Sequence, residues 1–479
     1  MGSDGKSIRP SYLIETVKKL YPNLDIEKPQ KKPEWEQIAR QKDALELFAK
    51  NIREFCENGK ITRDTANLYS ALLENEATKE QANNLMQYAF FKYAKNPLAI
   101  QVARLLYGEE IKNSVTRLET FARCSYAHFL QYGMKLKERE GFEFEAVDLG
   151  NVFHGVLERF STRLKDENSD WFSFTKEEGQ QWISEAVESQ SVIYKDSVLY
   201  SNARNRYAIS RISRVLKKTV FSLQKQLKKG VFSPKQFEMS FYKNVLKDEK
   251  DGIKMSVGGR IDRIDTYETD DKVYVKIMDY KSGHKDFDAV SFYYGHSMQL
   301  VLYLEQAMER LKKENKNKEI IPAAMLYYVV SDPVVEGVKM TKEQLEIALD
   351  KELVMKGLVN YEDDICNKLD EDLKKASYSS NVISVSTNKD GNFKSNSEIC
   401  STETFQKLSD YVNEKMIEIG SHIRDGEIEK KPYKNGEKTG CTYCPYRGVC
   451  GFDVSVPGYC YDKIELSEEE AMSKIVSKE

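Results

Sequence analysis

Charge placed inside a strand pair constrains this chain more than any other feature. Gly258-Gly259-Arg260-Ile261-Asp262 and Met278-Asp279-Tyr280-Lys281-Ser282-Gly283 both read as β-strands, joined through the turn-like run Glu268-Thr269-Asp270-Asp271. Side chains alternate across a strand, so Asp279 and Lys281 share a face with Val273, Val275 and Ile277. That apolar alternation predicts burial against the core. Two acids and a lysine at a buried sheet face cost free energy unless they meet partners. A divalent cation and a phosphodiester have the right charges.

The rest of the chain has room for such a core. It holds 479 residues, 40% of them hydrophobic, enough for two or more domains. The net charge of −3 excludes a globally basic nucleic-acid binder, so any such contact must come from local patches. Pro10, Pro22 and Pro29 break the first thirty residues, and neither a signal peptide nor a membrane span is visible; the reading is cytoplasmic. Three regions are expected: helical accessory residues 1–112, a main domain over 113–460, and a tail over 461–479. Ser114 reads as an N-cap for a helix carrying Leu118 and Phe121. A helix over about 148–165 has Leu149, Phe153, Val156, Leu157, Phe160 and Leu164 on its apolar side. A long basic helical region is expected over about 177–229, strands over about 236–247, 254–267 and 272–281, and one helix over about 289–312. The apolar strand Ala323–Val330 follows. Lys389-Asp390-Gly391-Asn392 predicts a turn between short strands, and 402–423 predicts a helix.

Four local motifs occur in a fixed order. His154 sits in Gly150-Asn151-Val152-Phe153-His154, with Glu158 one turn later. Asp262 follows, then Asp279-Tyr280-Lys281, then Gln299 and Tyr303 at i and i+4 of one helix. Singly, each has a plainer reading: a histidine at the rim of an apolar helix face, hairpin surface charges, two amphipathic side chains of a packed helix. In this order they resemble the PD-(D/E)XK nuclease superfamily, in the subgroup with an added histidine on the first core helix. The usual Pro-Asp is replaced by Gly-Arg-Ile-Asp262. The resemblance implies an α/β restriction-endonuclease-like core, a central mixed sheet flanked by helices. It implies Mg²⁺ or Mn²⁺ held by Asp262, Asp279, His154 and the main-chain carbonyl of Tyr280. Lys281 would orient the attacking water, and Gln299 and Tyr303 would position the phosphate. Glu158 is a weaker supporting candidate.

Cys441, Cys444 and Cys450 stand at spacings x2 and x5 and want a fourth ligand, for which Cys124 is the candidate. Spacing alone leaves zinc and an iron–sulfur cluster open. One distant upstream cysteine followed by C-x2-C-x5-C resembles the 4Fe–4S staple of AddB-type and Cas4-type nucleases, although Ser125 replaces the proline that often follows the first cysteine. Its implied role is structural, closing a very long loop. Cys460 is a nearby spare, and Cys56, Cys366 and Cys400 have no constellation.

Arg204, Arg206, Arg211, Arg214, Lys217, Lys218, Lys225, Lys228 and Lys229 form a basic helical region that reads equally as a solvated face or a phosphate track. Ser291-Phe292-Tyr293-Tyr294-Gly295-His296 offers aromatics for base stacking or for core packing. Ile8-Arg9-Pro10-Ser11-Tyr12-Leu13-Ile14 is similar to the segment preceding the nuclease in AddB-type subunits. The resemblance thus implies the C-terminal part of such a subunit, with Met1-Gly2-Ser3 reading as a vector-derived start. Its implied work is exonucleolytic processing of DNA ends and single strands for recombinational repair, beside an AddA-type helicase partner. A stand-alone Cas4-like exonuclease and a catalytically silent DNA-binding module are the alternatives.

Overall fold

β3 changes neighbours halfway along its length, and that change positions everything else. The computed structural model describes residues 12–24, 36, 38–138, 146–193, 202–247, 254–335 and 340–477. One mixed sheet holds β1 (Glu110–Ser114), β2 (Ser233–Lys247), β3 (Lys254–Glu268), β4 (Lys272–Lys281), β5 (Glu319–Val329), β6 (Lys356–Asn360) and β7 (Ile399–Cys400). β2 runs antiparallel to β3 over nearly all of it. On the other edge, β1 pairs in parallel from Lys254 to Gly258, and β4 pairs antiparallel from Arg263 onward. Gly259 to Asp262 therefore span a gap between two neighbours on one sheet edge. β5 continues in parallel from β4, β6 is antiparallel to β5, and β7 is parallel to β6.

Residues Met1–Tyr93 and Ala94–Glu479 form two compact units. In the first, α1 (Tyr12–Leu20), α2 (Gln41–Asn58), α3 (Arg63–Glu74) and α4 (Glu76–Ala89) are the helices. Ala44, Phe48, Ile52, Leu72 and Ala82 make its core. Ile8–Ser11 lie outside the described residues. The division falls before α5 (Ile100–Tyr107), because α5 buries Ala103 and Tyr107 in the core of the second unit.

That second unit continues with α6 (Val115–Arg123), α7 (Ser125–His128), α8 (Ala146–Asp166), α9 (Lys176–Ile193) and α10 (Ala203–Leu227). Ser114 caps α6 as predicted, its hydroxyl accepting from the Arg117 N–H at 3.2 Å. The expected 177–229 helix is two helices, with residues 194–201 outside the described set. The expected 289–312 helix is also two: α11 (Ala289–Tyr293) and α12 (Gln299–Glu314). Gly295 takes φ 76° between them, a left-handed turn that a helix cannot continue through. α13 (Lys342–Glu352), α14 (Ile365–Leu369), α15 (Thr402–Arg424), α16 (Arg447–Cys450) and α17 (Glu468–Val476) complete the helices. The strands expected around Lys389–Asn392 reduce to isolated bridges such as Thr387 with Phe393. Within the expected tail over 461–479, α17 buries Ala471 and Ile475.

Both sheet faces are covered, so β4 is buried from Val273 to Tyr280. Val273, Val275 and Ile277 pack with α12 and α15. Tyr274, Met278 and Tyr280 pack with α8, α9 and α10. The predicted apolar side of α8 is buried at Phe153, Val156, Leu157, Phe160 and Leu164. Charge also lies on the second face. Arg263, Asp265 and Lys276 are buried together, with Asp265 2.6 Å from Arg263 and 2.7 Å from Lys276. Arg263 stacks over Trp171 at 4.6 Å.

Candidate active site

The gap in β3 is held open by close packing from behind. A Cβ on Gly259 would stand 2.6 Å from ring carbons of Phe241 and 3.1 Å from Tyr303. Phe241 and Tyr303 meet edge to face with centroids 5.7 Å apart. Only glycine lets β3 lie this close to both rings. Gly259→Ala is therefore expected to lower stability by about 1–3 kcal/mol through overpacking, read as a lower midpoint in thermal or urea unfolding. An unchanged midpoint would mean that the rings move aside without cost.

Asp262 ends this stretch, nearly buried. Its Oδ2 accepts the Tyr280 backbone N–H at 2.7 Å and lies 3.3 Å from Nδ1 of His154 on α8. Tyr280 thus orients Asp262 through its amide. Glu238 of β2 joins them, Oε1 lying 3.9 Å from the same histidine nitrogen. Among the described residues, His154, Glu238 and Asp262 are the group of metal-ligating type whose donor atoms fall within 4.8 Å of one another. Asp279 falls outside that group, and Lys281 Nζ lies 2.5 Å from its Oδ2. Lys281 also donates to Gln299 Oε1 at 2.9 Å, and Gln299 Nε2 donates to the Tyr303 hydroxyl at 3.0 Å. The i, i+4 pair on α12 is thereby one relay ending at Lys281. Glu158 is engaged by Arg260 at 2.6 Å and stays outside the three-residue group.

Six predicted residues thus meet at one place, while Glu238 was not foreseen. No motif surrounds it, and its only signal was an acid inside a strand, where acids are depleted. Burial, then the Asp262 charge, pushes the Glu238 carboxyl up to about 7. The same two causes hold Asp279 well above the usual carboxylate range, against the pull of Lys281. Burial alone would lower His154, but Asp262, Asp279 and Glu238 outweigh it and raise its pKa. So much crowded negative charge is what a bound cation would relieve. A cleft of about 700 Å³ opens beside the group, lined by His154, Arg159, Arg163, Gln190, Glu238 and Arg260 among others.

A second constellation lies apart. Cys124, between α6 and α7, lines one hollow of about 180 Å³ with Cys441, Cys444 and Cys450. Gly440 sits against the Arg123 carbonyl, bringing the triplet to the upstream cysteine. Burial pushes the Cys124 thiol up to about 12, and raises Cys441 and Cys450 as well. In a tetrahedral zinc site the sulfurs stand roughly 3.8 Å apart, given Zn–S bonds of about 2.3 Å. Among the described residues, no three of these sulfurs fall within 4.8 Å of one another. Cys460 is exposed and does not line it.

The basic region is paired in part within the chain, and the aromatic run packs in part into the core. Arg214 and Lys218 both pair with Asp332, Lys225 pairs with Asp350, and Lys229 with Asp372. Arg204, Arg206 and Arg211 remain exposed at the start of α10. Phe292 is fully buried, and Tyr293 stacks on Tyr411, so both serve the core.

A mixed sheet with an acid at the switch of its neighbours, and with a histidine, a lysine and a Gln–Tyr relay around it, defines an α/β nuclease core. The family model of the PD-(D/E)XK nuclease superfamily matches residues 112–451, and the chain belongs to that superfamily. Over 99% of its length the chain is 35% identical to the B subunit of an ATP-dependent helicase/deoxyribonuclease from Lachnoclostridium phytofermentans, of which it covers 41%. Proteins of the same description from Clostridium tetani and Clostridium botulinum are 33% and 32% identical over 99% of the chain, each covered to 42%. The chain spans about two-fifths of the length of these curated relatives. No helix among the described residues is long and apolar enough to cross a membrane.

Proposed function

We propose that this chain carries a Mg²⁺- or Mn²⁺-dependent DNA exonuclease of an AddB-type subunit. It would process double-strand ends for recombinational repair beside an AddA-type helicase partner. The observation that carries the reading is the junction on β3, where Asp262 meets His154 while Asp279 and Lys281 close in from β4. The description that the relatives share, the B subunit of a helicase/deoxyribonuclease, supports the larger assembly.

His154, Asp262 and Asp279, with the Tyr280 carbonyl, would hold the cation. When bound, it supplies charge neutralisation at the phosphate and acidity to a water molecule. Lys281 has its ammonium fixed between Asp279 and Gln299, where it can orient the nucleophile and balance negative charge as it develops. Tyr303, held by Gln299, offers a hydroxyl to a phosphate oxygen. Arg159 and Arg163 lie along the adjoining cleft, where a strand's backbone could run.

The four cysteines gathered at one hollow would hold a metal centre there, and the pattern of one upstream cysteine followed by C-x2-C-x5-C favours a 4Fe–4S cluster over zinc. Lys430 and Arg447 line the same hollow and would offset the charge of four thiolates. The test is cleavage of end-labelled single-stranded DNA with Mg²⁺ or Mn²⁺. Cleavage is expected to stop with EDTA and to be absent in Asp262→Asn. No cleavage by the wild-type chain, even with an AddA-type partner present, would overturn the nuclease reading.

A further inference from the structure

We infer that Glu238 is an additional protein ligand of the cation, and that Arg260 is the positioning residue that aims it. This rests on the cation-dependent reading above and goes beyond the ligand set that the motifs imply.

The placement comes from register. Phe237 pairs with Arg263 and Met239 with Ile261, so Glu238 lies across from Asp262. That is where β3 has left β1 and has not yet met β4. Glu238 has φ 51°, left-handed backbone in the middle of a strand. For a residue with a Cβ this costs on the order of 1 kcal/mol or more. What the conformation achieves is aim. One carboxylate oxygen, Oε1, faces His154 Nδ1 at 3.9 Å, and the other, Oε2, lies 2.7 Å from Arg260 Nε.

The two oxygens thus have separate tasks. Oε2 is held by Arg260, whose other arm is anchored on Glu158 at 2.6 Å. Oε1 is directed at the space shared by His154 and Asp262. A carboxylate fixed through one oxygen and presented through the other is how surrounding hydrogen bonds orient a metal ligand. The Glu238 side chain is only 10% exposed, so solvent does little for its charge. With one nitrogen and several carboxylates, the set suits Mn²⁺ as well as Mg²⁺.

The test is Mn²⁺ binding without DNA, monitored by loss of the free-ion electron paramagnetic resonance signal. It compares wild type, Asp262→Asn, Glu238→Gln and Arg260→Gln. Asp262→Asn should lose binding. Glu238→Gln should weaken it by about 10–100-fold, and Arg260→Gln several-fold less than that. If Asp262→Asn loses Mn²⁺ while Glu238→Gln binds within twofold of wild type, Glu238 is only an ion-pair partner and the inference fails. If Asp262→Asn binds as wild type does, the cation reading itself fails, a distinguishable outcome. Should Glu238→Gln not fold, Glu238→Asp keeps the charge but cannot span His154 and Arg260 together. Its Mn²⁺ affinity must then fall, and wild-type affinity overturns the proposal.

Discussion

Lys281→Ala is expected to slow DNA hydrolysis by about 10²–10³-fold, the usual consequence of removing one preorganised charge stabiliser. The loss should appear in kcat with little change in KM, because in the proposed role the ammonium would act on charge that develops during reaction. Lys281 ends β4, and its side chain is 28% exposed, so truncation opens no large cavity. Asp279 then loses its neighbouring cation. Its carboxyl already sits well above the usual range through burial, and it can take up a proton instead of remaining a buried unpaired charge. The fold should therefore survive. Lys281→Arg should not restore the rate, since a planar guanidinium cannot occupy the point between Asp279 and Gln299 that the ammonium fills. Single-turnover cleavage of end-labelled DNA measures the effect. A mutant as fast as wild type would remove Lys281 from the chemistry.

Asp279 and Lys281 were legible in sequence for a simple reason. A strand's period of two puts them in line with Val273, Val275 and Ile277, so charge on a buried face shows in one dimension. Each of His154, Gln299 and Tyr303 was legible only through its order among the others, because alone it looks like a packed helix residue. Glu238 was not legible. Its neighbour is Asp262 on the next strand, and only the β2–β3 register and a left-handed φ bring them together. The Arg263–Asp265–Lys276 cluster escaped because only part of it is local. Arg263 meets Asp265 two residues along β3, but Lys276, which completes the cluster, comes from the next strand. β1, Glu-Ile-Lys-Asn-Ser, is too polar to read as a strand, and its partner on β3 lies far along the chain. Of the basic residues in and just after α10, Arg214, Lys218, Lys225 and Lys229 meet Asp332, Asp350 and Asp372 from later segments, so the run read locally overstates the unbalanced charge.

Replacing any one of Cys124, Cys441, Cys444 or Cys450 by serine should abolish a broad visible absorbance and loosen the C-terminal segment, whereas Cys460→Ser should do neither. The reason lies in how little else holds that segment. Between residues 427 and 463 only Pro432 and Tyr446 are buried. The small sheet there, β8 (Tyr433–Asn435), β9 (Lys438–Thr439) and β10 (Asp462–Lys463), has strands of two or three residues. Its other fastenings lie at the surface or are only partly buried: Ser125 Oγ donates to the Glu429 carbonyl at 3.1 Å, Tyr446 OH to the Leu136 carbonyl at 3.1 Å, Lys95 pairs with Glu429 at 2.6 Å, Lys430 lies over the Tyr126 ring at 4.6 Å and the His296 and Tyr433 rings stand 4.6 Å apart. Joining Cys124 to the triplet would close a loop of several hundred residues, which is worth roughly 6 kcal/mol by the loop-closure relation for cross-links. A segment with so small a core depends on such a staple. Limited proteolysis should therefore cut the serine variants after Lys434 or Lys438 well before the wild type. Iron and sulfide analysis separates the occupants. Colourless wild-type protein holding zinc would overturn the 4Fe–4S assignment yet leave the stapling role in place. Equal protease resistance in Cys124→Ser would overturn the stapling role, because Cys124 is the one of the four proposed ligands that lies outside this segment, near the start of the sheet domain.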